Sequence, residues 1–431
     1  MKFYIETYGC TANLGNSQDL ARALQEMGHI PSSLHEADAV IVNTCAVTEK
    51  TERKVLRRLS LLQGERLIVA GCLPVAMPES IGGISCRERL GLLNRCEAAR
   101  ISDLFNESFI TSQDELLHGS SRDALPHGPS PLDDLCGIVN VAEGCNGSCS
   151  YCIVAKARGR LKSCRAEDVV AEVERLAALG AAEVQISAQD TAAYGSDIGT
   201  NLGQLLERLV EVPGDFMLRV GMMNPNSALL IKDQLLRSYQ SPKIYRFLHI
   251  PVQSGSERIL RSMGRRYSAA DFLELVSAFR SAHAKITIIT DVIVGFPGET
   301  DGDFIETLEL IKCLQPDKVN ITRFSARPGT AAALKYDMPD RIKKDRSREM
   351  TRLWLKIAAE RNQRYVGEVL EARITERGRD GTMKARTENY LGIVVKGRPK
   401  LGSIVLVQVT DSNPFYVSGQ VVTGEIAKSL L

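Results

Sequence analysis

The chain has 431 residues, 44% of them hydrophobic, with 54 Lys/Arg against 52 Asp/Glu and a formal net charge of +2. That length and composition are those of a globular protein of two to four domains, and the longest apolar runs, such as 286–294, are too short to cross a bilayer. Residues 1–10 read as a strand rather than a signal peptide, so the expected compartment is the cytoplasm, where the 11 cysteines serve metals or catalysis.

In chain order, residues 1–110 are expected to form a small α/β domain on a parallel sheet. It has a strand at 2–6, a helix at 17–27 with Leu20, Ala23, Leu24 and Met27 on one face, and continuous apolar strands at 39–42 and 67–70. Residues 111–134, rich in Ser, Gly, Pro and Asp, read as a linker. Residues 135–362 repeat a strand–helix pattern, with strands at 138–142, 183–187, 216–220, 245–250, 286–294 and 318–324 and helices such as 166–179 and 269–282. Six β/α units predict a partial (β/α)6 barrel, since eight would close a full one. One helix over 341–365 carries Trp354, the one tryptophan. Residues 363–426 carry β-rich runs at 369–374, 392–395, 404–409 and 415–422 between turn residues, which predicts a small antiparallel β-barrel.

Charge is unevenly spread. Residues 341–400 hold 17 Lys/Arg against 8 Asp/Glu, a local excess of +9, so the rest of the chain carries 2 − 9 = −7. A basic C-terminal part suits a polyanion such as RNA, with Lys384, Arg386, Lys396, Arg398 and Lys400 on the small barrel as contacts. A solvated helix face accounts equally well for the basic residues of 341–364.

The densest chemical signal is Cys145-Asn-Gly-Ser-Cys149-Ser-Tyr-Cys152, in a loop of small polar residues after the first barrel strand. Three thiolates converging there anchor three irons of a four-iron cluster and leave the fourth open to a substrate or cofactor. A zinc site usually wants a fourth ligand, and none follows at short range. A disulfide would leave one cysteine over, and inert core cysteines would sit in apolar runs. A second trio comes from topology. Cys10, Cys45 and Cys72 each follow a strand of the first domain, and loops at the carboxyl ends of parallel strands share one edge, where ligands bind. Gly9 and Gly71 would permit close backbone approach there. The plainer alternative is three small residues closing strands. Cys86, Cys96, Cys136, Cys164 and Cys313 fit no ligand pattern and read as structural.

The cysteine loop and the (β/α)6 pattern resemble the radical S-adenosylmethionine (SAM) enzymes. The resemblance implies that the open iron chelates SAM, that a reduced cluster cleaves it to a 5′-deoxyadenosyl radical, and that Tyr151 neighbours the adenine. Nearly the whole chain resembles the methylthiotransferases. The shared motifs are Glu6-Thr-Tyr-Gly-Cys10, Val42-Asn-Thr-Cys45, Gly71-Cys72, His249-Ile-Pro-Val-Gln-Ser-Gly-Ser256, Met263-Gly-Arg-Arg-Tyr267 and Asp291-Val-Ile-Val-Gly-Phe-Pro-Gly-Glu299, with a C-terminal piece like an RNA-binding TRAM domain. That family implies two 4Fe-4S clusters, one on Cys145, Cys149 and Cys152 and one on Cys10, Cys45 and Cys72. The second would carry the sulfur to be methylated.

Weaker signals stay open. Asp190 binds SAM or caps the next helix. Gln253 and Ser254 serve the rim or hold a turn. Gly295 and Gly298 admit SAM or form a Pro-Gly turn. Arg265 pairs with a carboxylate or phosphate, or lies on the surface. The segments Ala157-Arg-Gly159, Ser187-Ala-Gln-Asp-Thr-Ala-Ala-Tyr-Gly-Ser-Asp-Ile-Gly199 and Gly221-Met-Met-Asn-Pro225 resemble the archaeal and eukaryotic branch. That branch acts at C2 of N6-threonylcarbamoyladenosine at tRNA position 37. The chain stops without the hydrophobic C-terminal anchor of the eukaryotic members, so a soluble, archaeal-type enzyme is expected. The resemblance implies tRNA, an electron donor of flavodoxin or ferredoxin type and a sulfur source as partners, and no membrane. Action on isopentenyladenosine or a ribosomal protein, or a non-catalytic iron–sulfur RNA-binding protein, are the alternatives.

Overall fold

The structure, a computed structural model, describes residues 1–106 and 135–422; the expected linker at 111–134 and the residues after 422 lie outside the described residues. The N-terminal unit runs β1 (Lys2–Thr7), α1 (Thr11–Glu26), β2 (Ile30–Pro31), β3 (Ala39–Thr44), α2 (Glu49–Leu62), β4 (Gly64–Gly71), α3 (Cys72–Ala76), β5 (Cys86–Arg89) and α4 (Glu97–Asn106). Its five strands form an all-parallel sheet in the order β2-β1-β3-β4-β5. β3 is buried at every position, as a strand covered on both faces requires. The first helix starts at Thr11, well before the expected Ser17, because its opening turns bury Asn13, Asn16 and Ser17. Buried polar residues leave no trace in a hydrophobic period.

The central unit runs β6 (Cys136–Asn140), β7 (Ala142–Glu143), α5 (Val154–Arg158), β8 (Lys162–Ser163), α6 (Ala166–Ala178), β9 (Glu183–Ser187), α7 (Leu202–Val210), β10 (Met217–Val220), α8 (Pro225–Leu230), α9 (Lys232–Ser238) and β11 (Phe247–His249). It continues through α10 (Glu257–Ser262), α11 (Ala269–Ala282), β12 (Thr287–Val294), α12 (Asp301–Leu314), β13 (Lys318–Arg323) and α13 (Asp340–Gln363). The six main strands form two parallel trios, β10-β9-β6 and β11-β12-β13. A bridge between Leu218 and Ile244, and a bond from Met223 N to His249 O at 3.0 Å, join them into one curved sheet. Its helices pack outside on a core that includes Leu205, Leu218, Phe272, Phe279, Ile288 and Ile311. Among the described residues no strand pairing joins β6 to β13, so the barrel is partial.

The N-terminal unit meets both free edges. At β6, Asn140 Nδ2 donates to Ala12 O at 3.0 Å, and a Cβ on Gly15 of α1 would stand 2.8 Å from Ile138 Cγ2. Beyond β13, buried Arg327 donates to Glu52 of α2 and, at 3.4 Å, to Ala46 O. This docking brings the carboxyl-end loops of the two sheets together.

The C-terminal unit is a closed barrel of β14 (Val369–Arg377), β15 (Thr382–Arg386), β16 (Gly392–Lys396), β17 (Ile404–Ser412) and β18 (Val417–Val421), in the order β14-β15-β16-β18-β17. β15 went unanticipated because it has five residues and only Met383 and Ala385 point inward. The barrel is not wholly antiparallel: β16 and β18 pair in parallel. A closed ring of five strands cannot alternate direction all the way round. The barrel docks under the central sheet through the turn before β16. Tyr390, at φ 63°, packs its ring 4.7 Å from Phe247 and 4.8 Å from Tyr245, and its hydroxyl donates to Glu183 Oε1 at 2.9 Å. Glu183 and Phe247 begin their strands, so the docking face lies at the opposite end from the cysteine loop.

Candidate active site

Cys145, Cys149 and Cys152 lie in the loop between β7 and α5, at the carboxyl end of the central sheet. Gly144 has φ +79°, and a Cβ there would stand 2.1 Å from Arg160 O, so only glycine allows this entry. Gly147 N donates to Cys145 Sγ at 3.2 Å, and a Cβ on Gly147 would reach that sulfur at 3.2 Å and Cys149 Sγ at 3.8 Å. The space between the sulfurs is thus kept clear by a missing side chain. Ser150 pins the loop: its N donates to Met263 O and its Oγ to Ser262 O, each at 2.9 Å, while its O accepts from Ala332 N at 2.8 Å. Burial pushes the Cys145 thiol up and the Cys152 thiol up to about 11, with the neighbouring cysteines adding.

The second trio sits at the carboxyl edge of the N-terminal sheet. Cys10 is the residue before α1, Cys45 follows β3, and Cys72 opens α3 directly after β4. Cys10 is exposed, and Cys45 and Cys72 are buried. A Cβ on Gly9 (φ +111°) would stand 3.0 Å from Cys45 Sγ, and one on Gly71 (φ +96°) 2.4 Å from Asn43 Oδ1. Burial raises the Cys45 thiol to about 12; Cys10 and Cys72 push it the same way, and a hydrogen bond from the Val47 backbone opposes them.

Asn13 ties these three strand ends together. It is fully buried, and its Nδ2 donates to Tyr8 O at 2.6 Å and to Thr44 O at 3.0 Å. Its Oδ1 accepts from Cys72 Sγ at 3.9 Å and from Arg158 Nη2. Asn43 Nδ2 in turn donates to Asn13 O at 2.9 Å. Neither asparagine stood out in the sequence, although Asn43 lies inside one of the shared motifs.

Both trios fit iron–sulfur clusters by the chemistry of their donors. They are all-thiol sets, with backbone N–H groups aimed at sulfur, the hydrogen bonds that tune such clusters. Among the described residues no three His, Cys, Asp or Glu side chains gather so as to hold a metal ion. A single ion draws its ligands to about 2.3 Å from one centre. A four-iron cube is wider and asks its thiolates to stand apart.

The other expected residues divide. Tyr151 is half-buried, its ring edge-on to Phe296 at 6.3 Å, and its hydroxyl accepts from Arg265 Nη2. Arg265 is therefore no free surface cation, and its Nε is buried without a partner. Asp190 is buried, but Oδ1 accepts from Asn224 N at 2.9 Å and Oδ2 from Ser227 Oγ at 2.7 Å, so it serves as the anchor of α8. Gln253 takes the left-handed conformation (φ 70°) and Ser254 is fully buried at 3.2 Å from Thr307 Oγ1, so both hold the turn. The place of a Cβ on Gly295 is filled by Lys343, whose Cγ would be 2.3 Å away, and Gly298 opens on empty space in its turn. These two glycines shape the entry to α12, and the open space beside Gly298 leaves room for a cofactor.

On the small barrel, Lys396, Arg398 and Lys400 are exposed, whereas Lys384 pairs with Glu376 at 2.6 Å. Arg386 is half-buried, its guanidinium 4.8 Å from the Tyr390 ring. Cys96, Cys164 and Cys313 are exposed, which a purely structural reading did not anticipate. Sequence reading also passed over His249, Asp291 and Asn320 as a group. His249 Nε2 is 3.1 Å from Asp291 Oδ2, and Asn320 Nδ2 donates to Asp291 Oδ1 at 2.6 Å, across three adjacent strands.

Known proteins match this arrangement along its length. The family model for the radical SAM superfamily matches residues 139–311, that for uncharacterized protein family UPF0004 matches residues 2–87, and that for the TRAM domain matches residues 363–422. A probable threonylcarbamoyladenosine tRNA methylthiotransferase of Archaeoglobus fulgidus is 41% identical over 97% of this chain and 98% of its own. One from Pyrococcus horikoshii is 39% identical over 98% and 100%. The threonylcarbamoyladenosine tRNA methylthiotransferase of Homo sapiens is 32% identical over 98% of this chain and 74% of its own. This chain belongs to that methylthiotransferase family. It is a radical SAM transferase, with 4Fe-4S clusters and SAM as cofactors and two clusters in methylthiotransferases of this family. In fold it is similar to the radical SAM methyltransferase of Kitasatospora setae, with a TM-score of 0.54 at 14% identity over 77% of this chain and 74% of that one.

Proposed function

We propose that this methylthiotransferase acts at C2 of N6-threonylcarbamoyladenosine at position 37 of tRNA, giving the 2-methylthio derivative. The observation that carries the substrate is the likeness along nearly the whole chain to relatives named threonylcarbamoyladenosine tRNA methylthiotransferase, and the chemistry is supported by the pair of three-thiol centres on two docked sheets whose ligand-binding edges meet. Cys145, Cys149 and Cys152 would hold the SAM-binding cluster, and Cys10, Cys45 and Cys72 the second one. When bound, the clusters and SAM supply the carbon-centred radical and the methylthio group. The chain's own residues fix the geometry. Ser150 and Gly264 fasten the first loop, since a Cβ on Gly264 would stand 2.7 Å from Ser148 O. Asn13 and Asn43 fasten the second. The His249–Asp291–Asn320 group offers hydrogen-bonding atoms on the less buried face of β12, suited to a polar nucleoside.

The units at 1–110, 135–362 and 363–426 then divide the work: the second cluster, SAM cleavage and RNA binding. Exposed Lys396, Arg398 and Lys400 of the small barrel, with Lys384 and Arg386 beside them, would meet tRNA phosphates. A flavodoxin- or ferredoxin-type protein would supply electrons, and a separate source the sulfur. Among the described residues no helix is long and apolar enough to cross a membrane.

Nucleoside mass spectrometry of tRNA incubated with reconstituted enzyme, SAM, reductant and sulfide tests the substrate. The expected product is 2-methylthio-N6-threonylcarbamoyladenosine, and 5′-deoxyadenosine should appear alongside. A 2-methylthio isopentenyladenosine product instead would refute the substrate. Survival of SAM cleavage after Cys145, Cys149 and Cys152 are changed to Ala would refute the site.

A further inference from the structure

The helix after the first cysteine loop carries a residue that belongs chemically to the other centre. Arg158, the last residue of α5, is buried at 8% exposure. Its Nη1 donates to Glu143 Oε1 at 2.8 Å, and its Nη2 to Asn16 Oδ1 at 3.2 Å and to Asn13 Oδ1. Arg158 Nη2 and the Cys72 thiol converge on one acceptor, Asn13 Oδ1, and the guanidinium's charge reaches Cys10, Cys45 and Cys72. One guanidinium supplied by the central unit thus lies beside the thiol group of the N-terminal unit. Glu143, on the ribbon strand before the first loop, and two asparagines of α1 set its plane.

A buried cation needs a buried counter-charge. Glu143 supplies part, but it is one-third exposed and bonds only one edge of the fork. The other edge is held by Asn13 and Asn16, and Asn13 Oδ1 also accepts from the Cys72 thiol, so the cation lies beside the thiol group. Three thiolates around an iron–sulfur core, with a further sulfur on the open iron, leave a net negative charge in this buried place. Charge and hydrogen bonds at the sulfurs set how readily such a cluster takes an electron. Arginine suits the task better than lysine, since its planar fork engages Glu143 and both asparagine oxygens at once and so fixes the charge beside the thiols.

We propose that Arg158 is a positioning residue of the second cluster: it is the counter-charge of the Cys10–Cys45–Cys72 centre, and it raises that cluster's reduction potential and secures its retention. This rests on the two-cluster reading. It also means that the loop holding one cluster positions the cation of the other.

The test uses the full chain with Cys145, Cys149 and Cys152 changed to Ala, so that one cluster remains, followed by iron counting and a redox titration read by electron paramagnetic resonance. Arg158→Gln should favour the oxidised cluster at least tenfold, a midpoint about 59 mV lower for a one-electron couple. Arg158→Lys should shift it the same way by less. An unchanged midpoint in Arg158→Gln with its cluster bound overturns the proposal. If Arg158→Gln binds no iron but keeps a native circular dichroism spectrum, the retention role stands. If it loses that spectrum, Arg158→Lys decides: a lowered midpoint supports the proposal and an unchanged one overturns it. Failure of the parent, with Arg158 intact, to bind any iron would instead refute the two-cluster reading and take this inference with it.

Discussion

Replacing Asn13 with Ala should loosen all three strand ends of the N-terminal centre at once. The side chain is fully buried and donates to Tyr8 O at 2.6 Å and Thr44 O at 3.0 Å. Alanine leaves both carbonyls without that donor. A buried polar group left unsatisfied costs about 1–3 kcal/mol, so two cost about 2–6 kcal/mol before water relaxes the gap. Taking about 3 kcal/mol as the net loss, local opening should become about a hundredfold more frequent, since 1.36 kcal/mol is tenfold. Hydrogen exchange read by mass spectrometry reports this directly, because amides near the site exchange through local opening. Peptides covering 8–14, 43–47 and 70–74 should lose protection by about that factor. Peptides of β15 and β16, in the barrel docked at the opposite end of the central sheet, should not change. A change below threefold in the first set would refute the idea that Asn13 joins the three loops. So would an equal loss in both sets, which would point to global destabilisation.

Gly71→Ala should abolish iron at the N-terminal centre while sparing the other, halving the iron content on reconstitution, because its Cβ would stand 2.4 Å from Asn43 Oδ1 and 2.5 Å from Thr44 O. Tyr390→Ala should weaken the seam under the central sheet by about 3 kcal/mol, in the range for buried aromatics cut to Ala. Trp354 would report it, since its ring is edge-on to Phe415 of the small barrel at 5.7 Å; unaltered tryptophan emission through urea unfolding would count against a seam built on Tyr390. At Asp303, burial works to raise the carboxyl, but hydrogen bonds from Arg258, Ser256 and Thr300 hold it well below the usual carboxylate range. A depressed folded value means that this carboxylate stabilises the fold above its unfolded pKa of about 3.9 and loses that contribution as pH falls through the folded value. Asp303→Asn should therefore melt lower than the parent at pH 7 and converge on it in acid, and parallel melting curves from pH 7 to pH 3 would exclude the effect.

What the sequence made legible was what spacing carries. The trio Cys145, Cys149 and Cys152 is a local pattern, and β3 and β4 carry unbroken apolar runs at 39–42 and 67–70 of the kind a covered parallel sheet buries. The convergence of Cys10, Cys45 and Cys72 followed from topology, because each ends a parallel strand. What failed was short or polar. β15 has too few apolar residues to show a period, and the opening turns of α1 are polar because they line a site. Asp190 and Gly295 sit in plausible places, yet their partners (Asn224 and Lys343) lie 34 and 48 residues away, and no local pattern names such partners.

The same limit explains why the link between the two centres could not be read beforehand. Ile153 and Ala157, which flank and build α5, are buried in the hydrophobic cluster of the N-terminal unit, beside Tyr8, Cys45, Cys72 and Leu73. α5 begins two residues after Cys152, so the loop that holds one trio cannot shift without moving the wall of the other. A close-packed wall transmits such a shift rather than absorbing it. Chemistry that needs sulfur from one centre and a radical from another depends on a fixed distance between them. Here one five-residue helix with a foot in each unit, and the arginine at its end, join the contacts at both sheet edges that would hold that distance.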